Sequence, residues 1–549
     1  MLHQRTPRII QFARYIQTRG KKTVLPSAKE LKQSISAKKI NKKKNIENKE
    51  PSSFHYGKYG RLCDSSNKPK VLDKITSFRE LKILPEIRNS IIEMIQKDSI
   101  VDLPHSEINP SPIQVEAIFQ IMKKIDNLNQ LNVFTIAAET GSGKTMAYLI
   151  PLLNYLRANM LENEKNKSAI RSVILLPTHE LVNQVYQTLT TLSSDLGLNV
   201  SKWDATVSYN QLIENIKTRI DILVTIPSKI NDTLYSIQKI NRPEHLLNKV
   251  EFAVIDEADT LMDKSFKETT IKTLKKFPNL RNLIFCSATI PTEFQKTLSS
   301  MFIGNNTIIT TPKLHKLPSK LKFHVVDATL NPFKGNKIKV LQQILYAISK
   351  DGSEPNVTEK RCIVFVNDKD SVKYLVDTLS SLDYKIVGLT GQDTVEERFK
   401  KIQPFLSPSV IVTGGILESS VDRLKVKSRE HGFKPESEEA LKVGGNELVK
   451  IPNSNIEIPK QLNAKKRPVI TDKISILVCT DLMARGMNFK GVRNVILYDV
   501  PNSAIDLVHR CGRTARMRQG GRVFMITDKS TKSWAKAIPK IIKKNMSIS

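Results

Sequence analysis

The chain has 549 residues, 40% of them apolar and 6% aromatic, and no run approaches the roughly eighteen consecutive apolar residues that a membrane-spanning helix needs. Its formal net charge of +32 makes a polyanion the leading partner, with an anionic membrane surface second, and its length allows two or more core-bearing domains plus extensions. The five cysteines (Cys63, Cys286, Cys362, Cys479 and Cys511) form no C-x-x-C pair, which argues against a zinc site or a disulfide framework and fits a reducing interior compartment.

Residues 1–70 carry 18 Lys and Arg against 4 Asp and Glu. Arg5, Arg8, Arg14 and Arg19 alternate with Ile9, Ile10, Phe12, Ala13 and Ile16, as in a basic amphipathic helix without the apolar centre of a secretory signal. That composition matches a mitochondrial transit peptide; a basic tail that helps bind nucleic acid is the other reading. Under either, the Lys-rich part from Lys38 to Lys49 is expected to be disordered.

From Phe78 to Ile125 the apolar spacing predicts helices, interrupted by Pro110-Ser111-Pro112-Ile113-Gln114. A glutamine held rigidly there can read an adenine edge, because its amide both donates and accepts. Val133 to Ala137 then predicts a short buried strand, and Met146 to Leu153 the start of a helix. Between them lies Ala138-Glu139-Thr140-Gly141-Ser142-Gly143-Lys144-Thr145, a phosphate loop in which Ala138 stands where the first glycine is usual. Its backbone N–H groups attract phosphate oxygens, Lys144 can reach the β- and γ-phosphates, and the Thr145 hydroxyl can ligate Mg²⁺. ATP and Mg²⁺ are the expected ligands.

Four further apolar strands each end in a polar cluster. Ser172 to Leu176 runs into Pro177-Thr178-His179-Glu180, and Asp221 to Val224 into Thr225-Ile226-Pro227-Ser228-Lys229. Phe252 to Ile255 runs into Asp256-Glu257-Ala258-Asp259, and Leu283 to Cys286 into Ser287-Ala288-Thr289. Strands alternating with helices imply an α/β fold with a mainly parallel sheet, whose ligands bind at the carboxyl ends of the strands. Asp256 can hold Mg²⁺ through water while Glu257 positions and deprotonates an attacking water, the division of labour that NTP hydrolysis needs.

A connector rich in proline and lysine at 313–325 separates residues 71–312 from a second alternation at 326–549, which has no phosphate loop of its own. There Ile474 to Cys479 leads to Thr480-Asp481-Leu482-Met483-Ala484-Arg485-Gly486. Further on, His509-Arg510-Cys511-Gly512-Arg513-Thr514-Ala515-Arg516 places three arginines within seven residues. An arginine brought in from a second domain can stabilise charge on the γ-phosphate; a basic surface patch is the other reading.

Taken together, these motifs resemble those of the DEAD-box RNA helicases, proteins of two tandem RecA-like domains, from about residue 78 to the C-terminus. The resemblance implies an RNA-dependent ATPase with Gln114 on adenine, residues 138–145 on the phosphates and Glu257 as base. It implies Ser287, Thr289, Asp259 and His509 as couplers of hydrolysis to domain movement, and Arg513 and Arg516 at the γ-phosphate. Pro177, Thr178, Glu180, Pro227, Lys229 and Thr480 would lie along the RNA backbone. Departures from the family pattern are Ser106-Glu107 for an upstream Gly-Phe, Val207-Ser208 for a Gly-Gly and Ile226-Pro227-Ser228-Lys229 for Thr-Pro-Gly-Arg. Asn488 also replaces the aspartate expected at the ribose, and Val395 a glutamine.

Residues 408–473 form an insertion with 12 Lys and Arg against 9 Asp and Glu; a partner or RNA contact and a tolerated surface insertion both fit it. With the transit-like N-terminus, it makes the chain similar to fungal mitochondrial DEAD-box helicases associated with assembly of the large mitoribosomal subunit. The expectation is a monomeric core in the mitochondrial matrix, acting on mitochondrial rRNA and mitoribosomal assembly intermediates. Intron splicing, an ATP-gated RNA clamp without turnover, and a DNA translocase remain as alternatives.

Overall fold

A computed structural model of the chain describes residues 75–98, 108–127, 130–160, 169–236, 246–302, 305–311, 317, 321–350, 359–406, 474–515 and 520–529, with short pieces at 410–413, 416–419, 448–450, 457–459, 531, 535 and 538–543. The expectations for residues 1–70, for Arg516 and for most of the insertion lie outside the described residues.

The first domain begins with helices α1 (Pro85–Asp98) and α2 (Pro112–Lys124), the second entered through Ser111 with proline at its first position. Then follow β1 (Asn132–Ala137), α3 (Lys144–Ala158), β2 (Ala169–Leu175), α4 (His179–Ser193), β3 (Val200–Trp203), α5 (Tyr209–Lys217), β4 (Arg219–Thr225) and α6 (Pro227–Ser236). The domain closes with β5 (Phe252–Ile255), α7 (Ala258–Leu261), α8 (Lys267–Leu274), β6 (Asn282–Ser287), α9 (Thr292–Met301) and β7 (Asn306–Thr310). The seven strands pair in parallel in the order β3-β4-β2-β5-β6-β1-β7.

Every residue of β1, β4, β5 and β6 is buried, as expected of parallel strands covered on both faces. One face packs Phe134, Ile136, Ile174 and Val254 against α1, α2, α3 and α4; the other packs Val133, Leu223, Ala253 and Phe285 against α6, α8 and α9. Because all strands run the same way, the loops after β1, β2, β4, β5 and β6 open on one edge.

The second domain starts at β8 (Leu321–Asp327), inside the stretch read from sequence as connector. It continues with α10 (Lys337–Lys350), β9 (Lys360–Phe365), α11 (Lys369–Ser380), β10 (Lys385–Leu389) and α12 (Val395–Leu406). Two small hairpins, β11 (Val410–Thr413) with β12 (Ile416–Ser419) and β13 (Leu448–Lys450) with β14 (Glu457–Pro459), lie in the inserted region. The main fold resumes with β15 (Ile474–Cys479), α13 (Asp481–Ala484), β16 (Val492–Leu497), α14 (Ala504–Cys511), β17 (Gly521–Thr527) and α15 (Ile538–Lys543). Its six parallel strands run β10-β15-β9-β16-β17-β8. The molecule therefore has the two tandem RecA-like α/β domains expected from sequence, and among the described residues no helix is long and apolar enough to cross a membrane.

Candidate active site

The buried strand β1 delivers the chain into the phosphate loop, which is anchored at its start where the Ala138 N–H donates to the Ser287 carbonyl at 3.3 Å. Gly141 and Gly143 hold φ of 80° and 90°, a region that glycine enters without strain. A Cβ at Gly143 would also stand 2.5 Å from Gln114 Nε2. Gln114 is clamped between turn and loop: its amide nitrogen donates to the Gly143 carbonyl (3.2 Å), and its oxygen accepts the Ser111 N–H (2.8 Å). Lys144 Nζ donates to the carbonyls of Ala138 (2.9 Å) and Glu139 (3.1 Å), and Glu139 accepts the Thr311 hydroxyl at 2.7 Å. The Ser142 hydroxyl is buried without a hydrogen-bond partner among the described residues, and Thr145 is half-buried one position beyond Lys144.

At the end of β5, two strands from β1 in the sheet, stand the paired carboxylates. Asp256 Oδ2 accepts the Tyr148 hydroxyl at 2.9 Å and Oδ1 accepts the Glu257 N–H at 2.9 Å. Burial, and then the neighbouring Glu257, push Asp256 up to about 6, while the Tyr148 and Glu257 hydrogen bonds and the Lys144 charge pull the other way. Glu257 has φ +48°, a left-handed conformation that costs a residue with a side chain about 1–3 kcal/mol. Its Oε2 is buried without a hydrogen-bond partner among the described residues.

The second domain completes the site. His509 Nε2 lies 2.8 Å from Asp259 Oδ2, and the same oxygen accepts the Thr289 hydroxyl at 2.5 Å. Burial would raise Asp259, but His509, Arg485 and Thr289 together outweigh it and hold the carboxyl well below its usual range. Ser287 donates to the Thr289 carbonyl (2.8 Å) and accepts the Thr289 N–H (3.2 Å). The four residues expected to couple the domains thus form one chain of contacts. Gly512 rests on the phosphate loop, where a Cβ would meet Thr140 Oγ1 at 2.2 Å. Gly486, with φ +70°, has room for no Cβ either: one would stand 2.8 Å from Leu181 and 2.9 Å from Glu257 Oε1.

Arg513 is fully buried and donates to the carbonyls of His509 (2.9 Å), Ala484 (3.3 Å) and Met487 (3.0 Å). Burial lowers its guanidinium to about 10 against the opposing pull of Glu257. Arg485 reaches Thr260 of the first domain at 2.7 Å, and the Asn488 N–H donates to Gln184 at 2.9 Å. Arg510 turns inward instead, forked on Asp481 at 2.6 and 2.8 Å, and is a brace of the second domain.

The residues expected along the RNA lie where the chain leaves its strands. Thr178 caps α4 by accepting the Leu181 N–H, Pro227 opens α6 beside the half-exposed Lys229, and Thr480 stands at the N-cap position of α13 without a side-chain capping bond. Glu180 differs from expectation: it is 3% exposed and pairs with Arg398 of the second domain at 3.1 Å. Sequence reasoning did not find Tyr148 on Asp256, Gln184 on Asn488, or Arg398 on Glu180, and only the tyrosine amid the apolar residues of α3 offered a local signal.

A phosphate loop and paired carboxylates in one parallel-sheet domain, closed over by arginine and glycine from a second, define a two-domain nucleotide-driven motor. The family described as DEAD/DEAH box helicase matches residues 111–297, and that described as helicase conserved C-terminal domain matches residues 454–518. The chain is 48% identical over 544 residues to the mitochondrial ATP-dependent RNA helicase MRH4 of Saccharomyces cerevisiae, covering 95% of this chain and 92% of that one. The counterpart from Candida glabrata is 48% identical over 512 residues, covering 91% and 86%. The chain belongs to the DEAD-box family of ATP-dependent RNA helicases. Its fold matches S. cerevisiae Dbp5 bound to RNA and ADP BeF3 (TM-score 0.58, 17% identity, 86% of this chain and 94% of that one). It also matches Mss116p bound to ssRNA and AMP-PNP (TM-score 0.58, 19% identity, 87% and 78%).

Proposed function

We propose that this chain is a mitochondrial helicase that uses ATP to remodel RNA or RNA–protein complexes of the matrix during assembly of the large mitoribosomal subunit. The observation that carries the catalytic part is the closed cleft: Gly512 on Thr140, Gly486 on Glu257 and His509 on Asp259 bring two domains onto one nucleotide site. The organelle rests on the relatives named mitochondrial and on the basic first 70 residues. The ribosomal role rests on the resemblance drawn from the sequence.

In this reading Gln114 reads the adenine edge, Lys144 and the loop N–H groups hold the phosphates, and Asn488 stands near the ribose. Among the described residues no cluster of three or more His, Cys, Asp or Glu could hold a metal by itself. Mg²⁺ takes one or two protein oxygens and completes its shell with phosphate and water. Asp256 and Thr145 are the residues that would hold it, and the ion supplies neutralisation of phosphate charge. Glu257, with a left-handed backbone and one oxygen unpartnered among the described residues, accepts the proton of the attacking water. Arg513, with Arg516, stabilises charge on the transferred phosphoryl group.

Pro177, Thr178, Pro227, Lys229 and Thr480 track the RNA backbone, with Glu180 acting through Arg398. Binding is therefore salt-sensitive and largely blind to sequence. Crosslinking RNA to the Glu257→Gln protein inside mitochondria and sequencing it tests the assignment. Large-subunit rRNA should dominate; intron-containing messenger RNA in its place would move the protein to splicing.

A further inference from the structure

Outside the cleft, a strongly basic surface lies on α8 and its approach. Residues 263–276 contain five lysines against two acidic residues. Lys264, Lys267, Glu268, Ile271, Lys272 and Lys275 line an open cleft of about 470 Å³. The opposite face of the helix is tied to the core through the buried Thr270, Thr273 and Leu274, so the lysines cannot turn away from solvent together. Lys267 is partly committed, donating to Thr297 at 2.9 Å, while Lys264, Lys272 and Lys275 are exposed. Lys272 in the last turn of α8 and Lys275 at its C-cap stand three residues apart, where like charges repel one another. A bound polyanion relieves that repulsion.

The position of the cleft narrows the choice of polyanion. Thr273, between Lys272 and Lys275, donates its hydroxyl to the Pro227 carbonyl at 3.1 Å, and Asn231 of α6 donates to the Thr269 carbonyl (3.3 Å) and Thr273 hydroxyl (3.0 Å). α8 therefore packs beside the first turn of α6, which carries Pro227 and the half-exposed Lys229 of the proposed RNA path, with its lysines on the face turned away from that contact. We infer that the α8 cleft is a second RNA-binding site, taking the phosphate backbone of a structured segment flanking the strand held in the central cleft. This rests on the RNA reading above. The site recognises phosphate spacing and no base edges, so it adds affinity for longer or folded RNA without changing sequence preference.

The test uses the full chain with Lys264→Glu/Lys272→Glu/Lys275→Glu, and the milder Lys272→Ala/Lys275→Ala should the charge reversal not fold. Affinity is measured against salt for a short single strand that fills only the central cleft and for a tailed hairpin. Each lost phosphate contact lowers the log–log salt slope by about 0.7–0.9. The triple variant should lose about 2–3 from the slope for the hairpin and the alanine pair about 1–2, with the short-strand slope and its stimulation of ATP hydrolysis unchanged. Unchanged hairpin slopes in folded variants would overturn the inference while leaving the helicase reading intact. Loss of polyglutamate binding with RNA unaffected would overturn it in favour of an acidic protein. An unmutated chain that binds neither RNA would overturn the helicase reading itself.

Discussion

Replacing Tyr148 by Phe keeps the packing of α3 and removes one atom, the hydroxyl that donates to Asp256 Oδ2 at 2.9 Å in a fully buried setting. A hydrogen bond to an ionised group contributes about 1.5–3 kcal/mol, and one pKa unit corresponds to about 1.4 kcal/mol. Asp256 already sits at about 6 because of burial and the adjacent Glu257, with the Tyr148 hydroxyl among the groups that restrain it. Taking the hydroxyl away therefore lifts the carboxyl by about one to two units more. In the proposed mechanism only the ionised carboxylate serves the phosphate site, so kcat/KM for ATP should fall as pH drops through about 6 in the unmutated protein. In Tyr148→Phe that acid limb should move to higher pH by about one unit or more, with little change on the alkaline side. The linked effect on stability has the opposite sign. A carboxyl whose native pKa is raised binds more protons in the native than in the unfolded state between 3.8 and about 6, so this group's contribution to stability falls as pH rises through that window. An acid limb that stays in place in a folded Tyr148→Phe protein would refute the role given to the hydroxyl.

Three further outcomes follow from the closed cleft. Gly512→Ala puts a Cβ 2.2 Å from Thr140 Oγ1; overpacking of about 1–3 kcal/mol should fall on the closed state alone, reducing RNA-stimulated hydrolysis roughly tenfold or more while melting is unaltered. Arg398→Ala leaves Glu180 buried and unpaired, a penalty of about 3–5 kcal/mol on closure, and adding Glu180→Gln should recover much of the loss in ATP-dependent RNA affinity. His509→Ala removes the partner of Asp259 across the interface, so it should uncouple hydrolysis from RNA: turnover without RNA persists while the stimulation disappears in a steady-state assay.

Much of the candidate nucleotide site is legible in the sequence because its parts are contiguous. The phosphate loop, the Asp256-Glu257 pair and the Ser287-Ala288-Thr289 turn each follow an apolar run long enough to be recognised as a buried strand. Edge strands were harder to see: β3 alternates half-buried with buried residues over four positions, and β8 (Leu321–Asp327) contains Lys322 and His324, so neither offers an unbroken apolar run. The contacts that close the cleft were invisible for a different reason. Gln184 and Asn488 are 304 residues apart, and Asp259 and His509 250, so only the docking of two separately folded sheets brings them together. Glu180 shows the consequence. By position it belonged with the RNA-path residues; in the folded chain it faces Arg398.

The central claim is that the two domains close one hydrolytic site in response to RNA, and it is tested most directly by ATP hydrolysis with and without structured RNA, beside Glu257→Gln. The account predicts turnover that rises with RNA, falls steeply with added salt, and disappears in Glu257→Gln while ATP-dependent RNA binding persists. ATP-gated RNA binding with no turnover in the unmutated protein would contradict it and leave a clamp in place of a motor.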